Sequence, residues 1–238
     1  MYLTRKEYEL MEALPAYFTL AEVSDATGMP KKYAGEVIAR LVLKDALVRP
    51  KSGVFLKASE PSRNFEYNYG LALAGGKAFV ALASALKVHG LMDEELSEYQ
   101  FATENTDKSR EFRGKTYTLV PFGKDYYGIE EIRGIAVSTR AKTFYDCLCR
   151  MRLVGAAKLA SILKLSPPSK KEWNEILLFF QDKANKSLKQ RLGFFLSKIA
   201  PEFFLKGLET QIGSKAVVRM SPSARTLDRR WMVYYEHS

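Results

Sequence analysis

Residues 18–57 read FTLAEVSDATGMPKKYAGEVIARLVLKDALVRPKSGVFLK, and this stretch decides the fold of the chain's first part. The Thr19 hydroxyl is placed to accept from the free N–H groups of a helix over Leu20 to Thr27, and Glu22, three residues on, supplies the reciprocal bond of a capping box. Gly28 ends that helix, because glycine enters the left-handed turn at little steric cost. Pro30 then suits the first turn of the next helix, where a missing N–H loses nothing. In that second helix Ala34, Val37, Ile38, Leu41 and Val42 recur at helical spacing and form a core-facing stripe, leaving Lys31, Lys32, Gly35, Glu36 and Ala39 on other faces. After Lys44-Asp45 come two short apolar runs, Ala46–Arg49 and Val54–Lys57, joined by the turn Pro50-Lys51-Ser52-Gly53, which is the pattern of a hairpin. Helix, tight turn, helix and hairpin follow one another as in a winged helix-turn-helix.

Charge is polarised along this stretch. Residues 1–27 carry a net −3, whereas residues 28–57 carry a net +5. The excess lies on the helix and hairpin that would meet phosphates, where each neutralised phosphate also releases counterions. Lys31, Lys32 and Tyr33 are expected to make the first contacts at the major groove of duplex DNA. Arg40 and Arg49 would reach flanking phosphates, and Lys51 at the wing tip would meet the backbone or minor groove. Glu36 has two readings, a cytosine amino reader or a plain surface carboxylate. Winged helices also serve as protein–protein adaptors, and an acidic protein would use the same lysines. A steep fall of binding with salt on duplex DNA separates the two.

The 238 residues, 47% of them hydrophobic, suffice for two or three ordinary domains with a proper core. No run of about 18 apolar residues suggests a membrane span, and the first residues, MYLTRKEYEL, lack the apolar segment of a signal peptide, so a cytoplasmic protein without membrane contact is expected. Cys147 and Cys149 stand two apart on an expected helix, point to different faces and do not suit a disulfide. With His89 and His237 as the remaining soft ligands, no spacing resembles a zinc site, and neither metal nor cofactor is expected. The net charge of +10 is concentrated again near the end: residues 151–238 carry +9. That region either widens a DNA footprint, meets an acidic partner, or is a solvated basic face.

Four segments follow, making an α+β protein. Residues 1–58 form the winged helix-turn-helix domain, whose supporting first helix is capped by Thr4 with Glu7, carries Tyr8, Met11, Ala13 and Leu14 on its apolar side and ends at Pro15. Tyr2 and Leu3 are expected to pack there as a short strand or staple. Residues 59–68 are a polar linker containing Pro61. Residues 69–165 form a mixed α/β domain. Within it, Gly75–Val88 is apolar on nearly every face and reads as one buried helix closed by His89-Gly90. Glu98–Thr103, Lys115–Val120 and Ile129–Val137 read as strands. Ser138 or Thr139 caps a helix with Ala141, Phe144, Tyr145, Leu148 and Cys149 on one side, and Leu153–Leu163 forms another helix or its continuation. Residues 166–238 form a basic, mainly helical C-terminal part. Ser169 and Glu172 open it, Leu188, Leu192, Phe195, Leu196 and Ile199 make a stripe, and Val217-Val218 and Trp231–Tyr235 read as closing strands.

Several of these segments carry a family resemblance: the wing Lys51-Ser52-Gly53-Val54-Phe55-Leu56, then Ser84-Ala85-Leu86-Lys87-Val88-His89-Gly90-Leu91, then Arg133-Gly134-Ile135-Ala136-Val137-Ser138, and Ala141-Lys142-Thr143-Phe144-Tyr145-Asp146. In this order they resemble the AbiEi-like family of antitoxins and transcriptional regulators from type IV toxin-antitoxin (abortive infection) systems. Arg191-Leu192-Gly193-Phe194-Phe195 and Arg229-Arg230-Trp231-Met232-Val233 are similar to later family segments, though the likeness thins beyond about residue 165. The resemblance implies a regulator that binds its own operator, with dimer formation on DNA left open, while the remainder opposes a nucleotidyltransferase-like cognate toxin.

No pattern points to catalysis, and the chain is expected not to be an enzyme. His89 ends a helix, where an imidazole complements the last carbonyls, and Asp146 has Arg140, Lys142 and Arg150 nearby as ion-pair partners. No Asp or Glu is followed two residues later by lysine, as a metal-dependent nuclease would favour. Gly75-Gly76-Lys77 lacks the earlier glycine and following hydroxyl of a phosphate loop, and Ser84 lacks the glycines of a nucleophile elbow.

Overall fold

The computed structural model describes residues 3–58, 64–75 and 78–236. Tyr2, residues 59–63 of the expected linker, Gly76-Lys77 and His237 lie outside the described residues. The chain is a mixed α+β protein that divides into two compact units, each built from two stretches of chain. One comprises Met1–Val80 with Glu95–Val137, the other Ala81–Glu94 with Ser138–Ser238.

The first unit begins with α1 (Arg5–Ala13), β1 (Tyr17–Thr19), α2 (Leu20–Thr27), α3 (Lys31–Leu43), β2 (Leu47–Lys51) and β3 (Val54–Lys57). The strands form an antiparallel sheet in the order β1-β3-β2. Both expected capping boxes are present: Thr4 and Thr19 each accept from the N–H of the glutamate three residues on, and each glutamate accepts from the cap N–H. Ala34, Val37, Ile38 and Leu41 pack with Leu10, Met11, Leu14, Phe18 and Val23 in one core. On α1 the inward side differs from the sequence reading. Leu10 is buried and Tyr8 is exposed, because the helix turns Leu10, Met11 and Leu14 toward α3.

Helix α4 (Phe65–Ala74) starts inside the segment expected to be a linker, and Tyr67 through Leu73 are all buried. It packs against all three strands of the small sheet and against β4 (Ala78–Val80), β5 (Glu98–Thr103) and β7 (Lys115–Pro121) of a second sheet. That six-stranded sheet also contains β6 (Lys108–Phe112), β8 (Ile129–Ile132) and β9 (Ile135–Ser138), in the order β6-β7-β5-β4-β9-β8. A Cβ on Gly70 would collide with the Phe101 ring of β5, so glycine is what lets the helix lie close on the strand. Tyr69 stacks on Phe112 at 4.5 Å between ring centroids and lies 4.4 Å from Tyr117, while Tyr67 meets Tyr99 edge-on at 5.5 Å. Burial pushes the Tyr67 phenol up to about 12 and raises Tyr99 and Tyr117 as well.

Two sequence expectations are corrected here, and one strand is added that the sequence reading did not contain. The apolar run 75–88 is a strand and a helix: Phe79 and Val80 pair with β5 on one side, Val80 pairs with β9 on the other, and the chain breaks at Leu82, whose φ is 54°. A central strand covered on both faces is as uniformly apolar as a buried helix. Ile129–Val137 is two strands, β8 and β9, separated by Arg133 and Gly134 at φ 53° and 75°, the pair of positive values that a tight hairpin turn demands. Strand β6, KSREF, has no apolar alternation because it is an exposed edge. It pairs antiparallel with β7 through a second such turn at Arg113-Gly114.

The second unit holds α5 (Leu82–Val88), α6 (Arg140–Cys149), α7 (Met151–Val154), α8 (Ala156–Leu165), α9 (Lys170–Lys183), α10 (Lys186–Leu196) and α11 (Glu202–Ile212). A small sheet of β10 (Val218–Arg219), β11 (Thr226–Asp228) and β12 (Val233–Tyr235) completes it, in the order β10-β12-β11. Helix α6 packs on α5 and α9, and every residue from Ala141 to Leu148 is buried, charged ones included. Lys142 and Asp146, both fully buried, pair at 2.5 Å, and Arg150 lies 3.7 Å from the same carboxylate. Arg140 instead joins α6 to the α9 capping box by pairing with Glu172 at 2.9 Å. Trp231 is buried against Gly193, and Gln190 donates to the carbonyls of Ala216 and Trp231, which seats the small sheet on α10.

Two tests follow from these contacts. Lys44, the Thr4 N–H and the Thr4 hydroxyl all bond the Glu7 carboxylate and lower it from 4.5 to about 2, the Lys44 bond contributing most. A carboxylate depressed by folding stabilises the native state above its unfolded value and loses that effect as pH falls through the folded one. Glu7→Gln is therefore expected to lower the thermal midpoint at pH 7, with the gap from the parent protein closing as pH falls from 4.5 to 2, as read by circular dichroism. In the second unit, Asp146→Ala leaves Lys142 buried without its carboxylate and is expected to cost about 3–5 kcal/mol in urea unfolding. The double variant Lys142→Met, Asp146→Leu, which removes both charges, loses less.

Candidate nucleic-acid interface

The cationic candidates sit on α3 and on the β2–β3 hairpin, and local sequence explains how each is presented. Gly28, at φ 68°, closes α2 by donating its N–H to the Ser24 carbonyl at 2.9 Å, and Pro30 is the residue from which α3 starts. No side chain caps the first turn of α3 and no acidic residue lies in it. The backbone N–H groups at that end and the exposed side chains of Lys31 and Lys32 therefore share one positive corner. An uncapped helix N-terminus with two flanking lysines is suited to a phosphate.

At 3.6 residues per turn, the face of α3 opposite the core carries Lys32, Glu36, Ala39 and Leu43, all exposed, with Gly35 beside them. Small side chains at 35 and 39 let a flat surface approach the helix closely, and Glu36 stands in the middle of that surface. Tyr33 and Arg40 are exposed too, but on the flank toward α1. There they line a groove of about 380 Å³ together with Thr4, Lys6, Glu7 and Lys44. Lys44 is held by Glu7 at 2.6 Å, which leaves Lys6, Arg40 and Tyr33 as the outward groups of this flank. The net acidity of residues 1–27 hid Lys6 from the sequence reading.

In the hairpin, Ser52 and Gly53 form the exposed turn, with Gly53 at φ 77°, and the strand pairing shifts register between Val48 and Lys51, where Pro50 has no N–H to give. The exposed Arg49 donates to the Ser52 hydroxyl at 3.2 Å and lies 5.9 Å from the Phe55 ring centroid. Lys51 is half-buried. Its ammonium lies against Gly75, the residue that ends α4, where a cation complements the helix's negative end. The Pro50 carbonyl accepts from Arg110 of β6. Arg110 thus brings another cation to the turn end of the hairpin, 60 positions along the chain, beyond the reach of a local sequence pattern.

The groups weighed for catalysis are held by neighbours. The His89 Nε2 lies 2.8 Å from the Ser138 carbonyl at the end of α5, and the Ser138 hydroxyl meets that of Thr143 at 2.7 Å. Ser84 is fully buried, and burial raises the Cys147 thiol well above its ordinary value, with the neighbouring Asp146 adding to the effect. Among the described residues no group of three or more His, Cys, Asp or Glu side chains is placed to hold a metal ion, and no helix is long and apolar enough to cross a membrane. Neither protein-family models nor curated proteins give a match to this sequence.

Proposed function

We propose that residues 3–58 are a winged helix-turn-helix that binds duplex DNA, and that the protein is a sequence-specific transcriptional regulator. The observation that carries this reading is the N-terminal end of α3, uncapped, free of acidic side chains in its first turn and flanked by the exposed Lys31 and Lys32. The order α1-β1-α2-α3-β2-β3 with a β1-β3-β2 sheet supports it, since it presents α3 and a hairpin together. In this reading Lys31 and Lys32 seat a phosphate, the face of Lys32, Gly35, Glu36 and Ala39 lies along the major groove, and Arg49 with the Ser52-Gly53 turn meets the adjacent backbone. Tyr33 and Arg40 contact the flank. Lys51 acts through its hold on the end of α4, which fixes the hairpin's direction. The resemblance of the wing and of segments 84–91, 133–138 and 141–146 to AbiEi-like proteins extends the proposal to an antitoxin that represses its own operon and opposes a nucleotidyltransferase-like toxin.

Fluorescence anisotropy on the DNA upstream of the protein's own gene, at several salt concentrations and against random duplex, tests the reading. The parent protein is expected to prefer the upstream DNA. The double variant Lys31→Ala, Lys32→Ala should lose that binding and reduce the log–log salt slope by about 2, one for each phosphate contact removed. Absence of preference, or an unaffected variant, would overturn it in favour of a winged helix that docks an acidic protein.

A further inference from the structure

The second unit contains a half-open cavity of about 590 Å³ between the end of α6, α7, the start of α8 and α10. Its apolar lining includes Leu148, Leu188 and Phe195, and its charged lining consists of Arg150, Arg152 and Arg191, with no Asp or Glu. Several basic side chains of this unit have acidic partners: Lys215 and Arg230 pair with Glu209, Arg230 also with Glu202, Lys158 with Glu94 and Arg140 with Glu172. Arg150 has the Asp146 carboxylate at 3.7 Å. Arg152 and Arg191 are exposed at the cavity, and no ion pair or hydrogen bond holds either side chain among the described residues.

An apolar chamber of this size matches the range that encloses small ligands, about 300–1,000 Å³. Guanidinium groups without counter-charges at its rim match a carboxylate or phosphate, which their planar forks bind through paired hydrogen bonds. We propose that this cavity binds a small amphipathic anion, with its hydrocarbon body against Leu148, Leu188 and Phe195 and its head between Arg152 and Arg191. The assignment is independent of DNA binding, since it concerns residues 148–220 alone.

Cys149 reports on the same site. Cys149 is among the residues that line the cavity and is half-buried, while Cys147, two residues earlier, is fully buried with its thiol pushed up by burial and serves as an unreactive internal reference. The test uses the full chain and monomeric sodium dodecanoate, with dodecyl phosphate and dodecanol as companions, in isothermal titration and in iodoacetamide alkylation followed by peptide mass spectrometry. Saturable binding of one dodecanoate or one dodecyl phosphate per chain is expected, with slowed alkylation of Cys149. Dodecanol should bind at least about tenfold more weakly, as should dodecanoate to the Arg152→Ala, Arg191→Ala variant, because each lost charge-assisted hydrogen bond is worth roughly a factor of ten or more. Both arginines are exposed, and an unchanged circular dichroism melt confirms that the variant folds. Equal affinity for the alcohol, an unaffected variant, or unprotected Cys149 would overturn the assignment. So would sedimentation of the protein with phosphatidylglycerol vesicles in the absence of any dodecanoate binding, which would mark a membrane surface instead.

Discussion

Helix α4 has no side that faces water along most of its length, and the first unit depends on that constraint. Its residues 67–73 are buried between a three-stranded sheet and a six-stranded one, so both sheets complete their cores against the same short helix. Each aromatic ring it buries is worth about 1.5–3 kcal/mol relative to an exposed one, with a further fraction where rings meet edge-on or offset. Gly70 sets the distance to β5, since any side chain there would displace Phe101 and with it the register of the central strands. The helix also reaches the candidate interface, because the Lys51 ammonium lies against Gly75, the cap that follows its last residue.

That link changes how the hairpin is understood. A lysine at a turn is ordinarily counted as a cation offered to a phosphate. Here the ammonium of Lys51 complements the carbonyl end of α4, and Arg110 binds the neighbouring Pro50 carbonyl from β6. The hairpin is thereby held by two contacts next to its turn, while Ser52 and Gly53 stay exposed. Charge that a composition count assigns to DNA is partly used to orient the element that would touch it.

What was legible in the sequence was what local rules govern. The capping boxes of Thr4, Thr19 and Ser169, the glycine after α2 and the core stripe of α3 each depend on residues within four positions of one another, and each stands as read. The exposure of Lys31 and Lys32 follows from the same helical period. Where the structure departs from the reading, partners lie far along the chain. Ala78–Val80 is a strand because β5 and β9 flank it, and the periodicity of a doubly covered strand is indistinguishable from that of a buried helix. Asn64 to Asn68 looked like linker because Glu66 and Asn68 are polar, yet the aromatic residues 65, 67 and 69 find their partners on β5, β6 and β7. At the candidate interface, the division between the Lys32 face and the Tyr33–Arg40 flank is set by α1, which the sequence of α3 does not encode.

The second unit solves the opposite problem, placing charge inside a helix that is buried all round. A lone Asp146 at zero exposure would carry a large desolvation cost, which Lys142 one turn earlier offsets at 2.5 Å. The same carboxylate stands 3.7 Å from Arg150, which is 20% exposed and lines the cavity. One buried acid therefore faces an inner cation that completes the core and an outer one at the cavity wall. Among the described residues no ion pair or hydrogen bond holds the side chain of Arg152 or Arg191, both exposed beside Leu188 and Phe195. Within residues 151–238, Lys215 and Arg230 are closed by glutamates beside Trp231, whereas Arg152 and Arg191 stand exposed at this cavity.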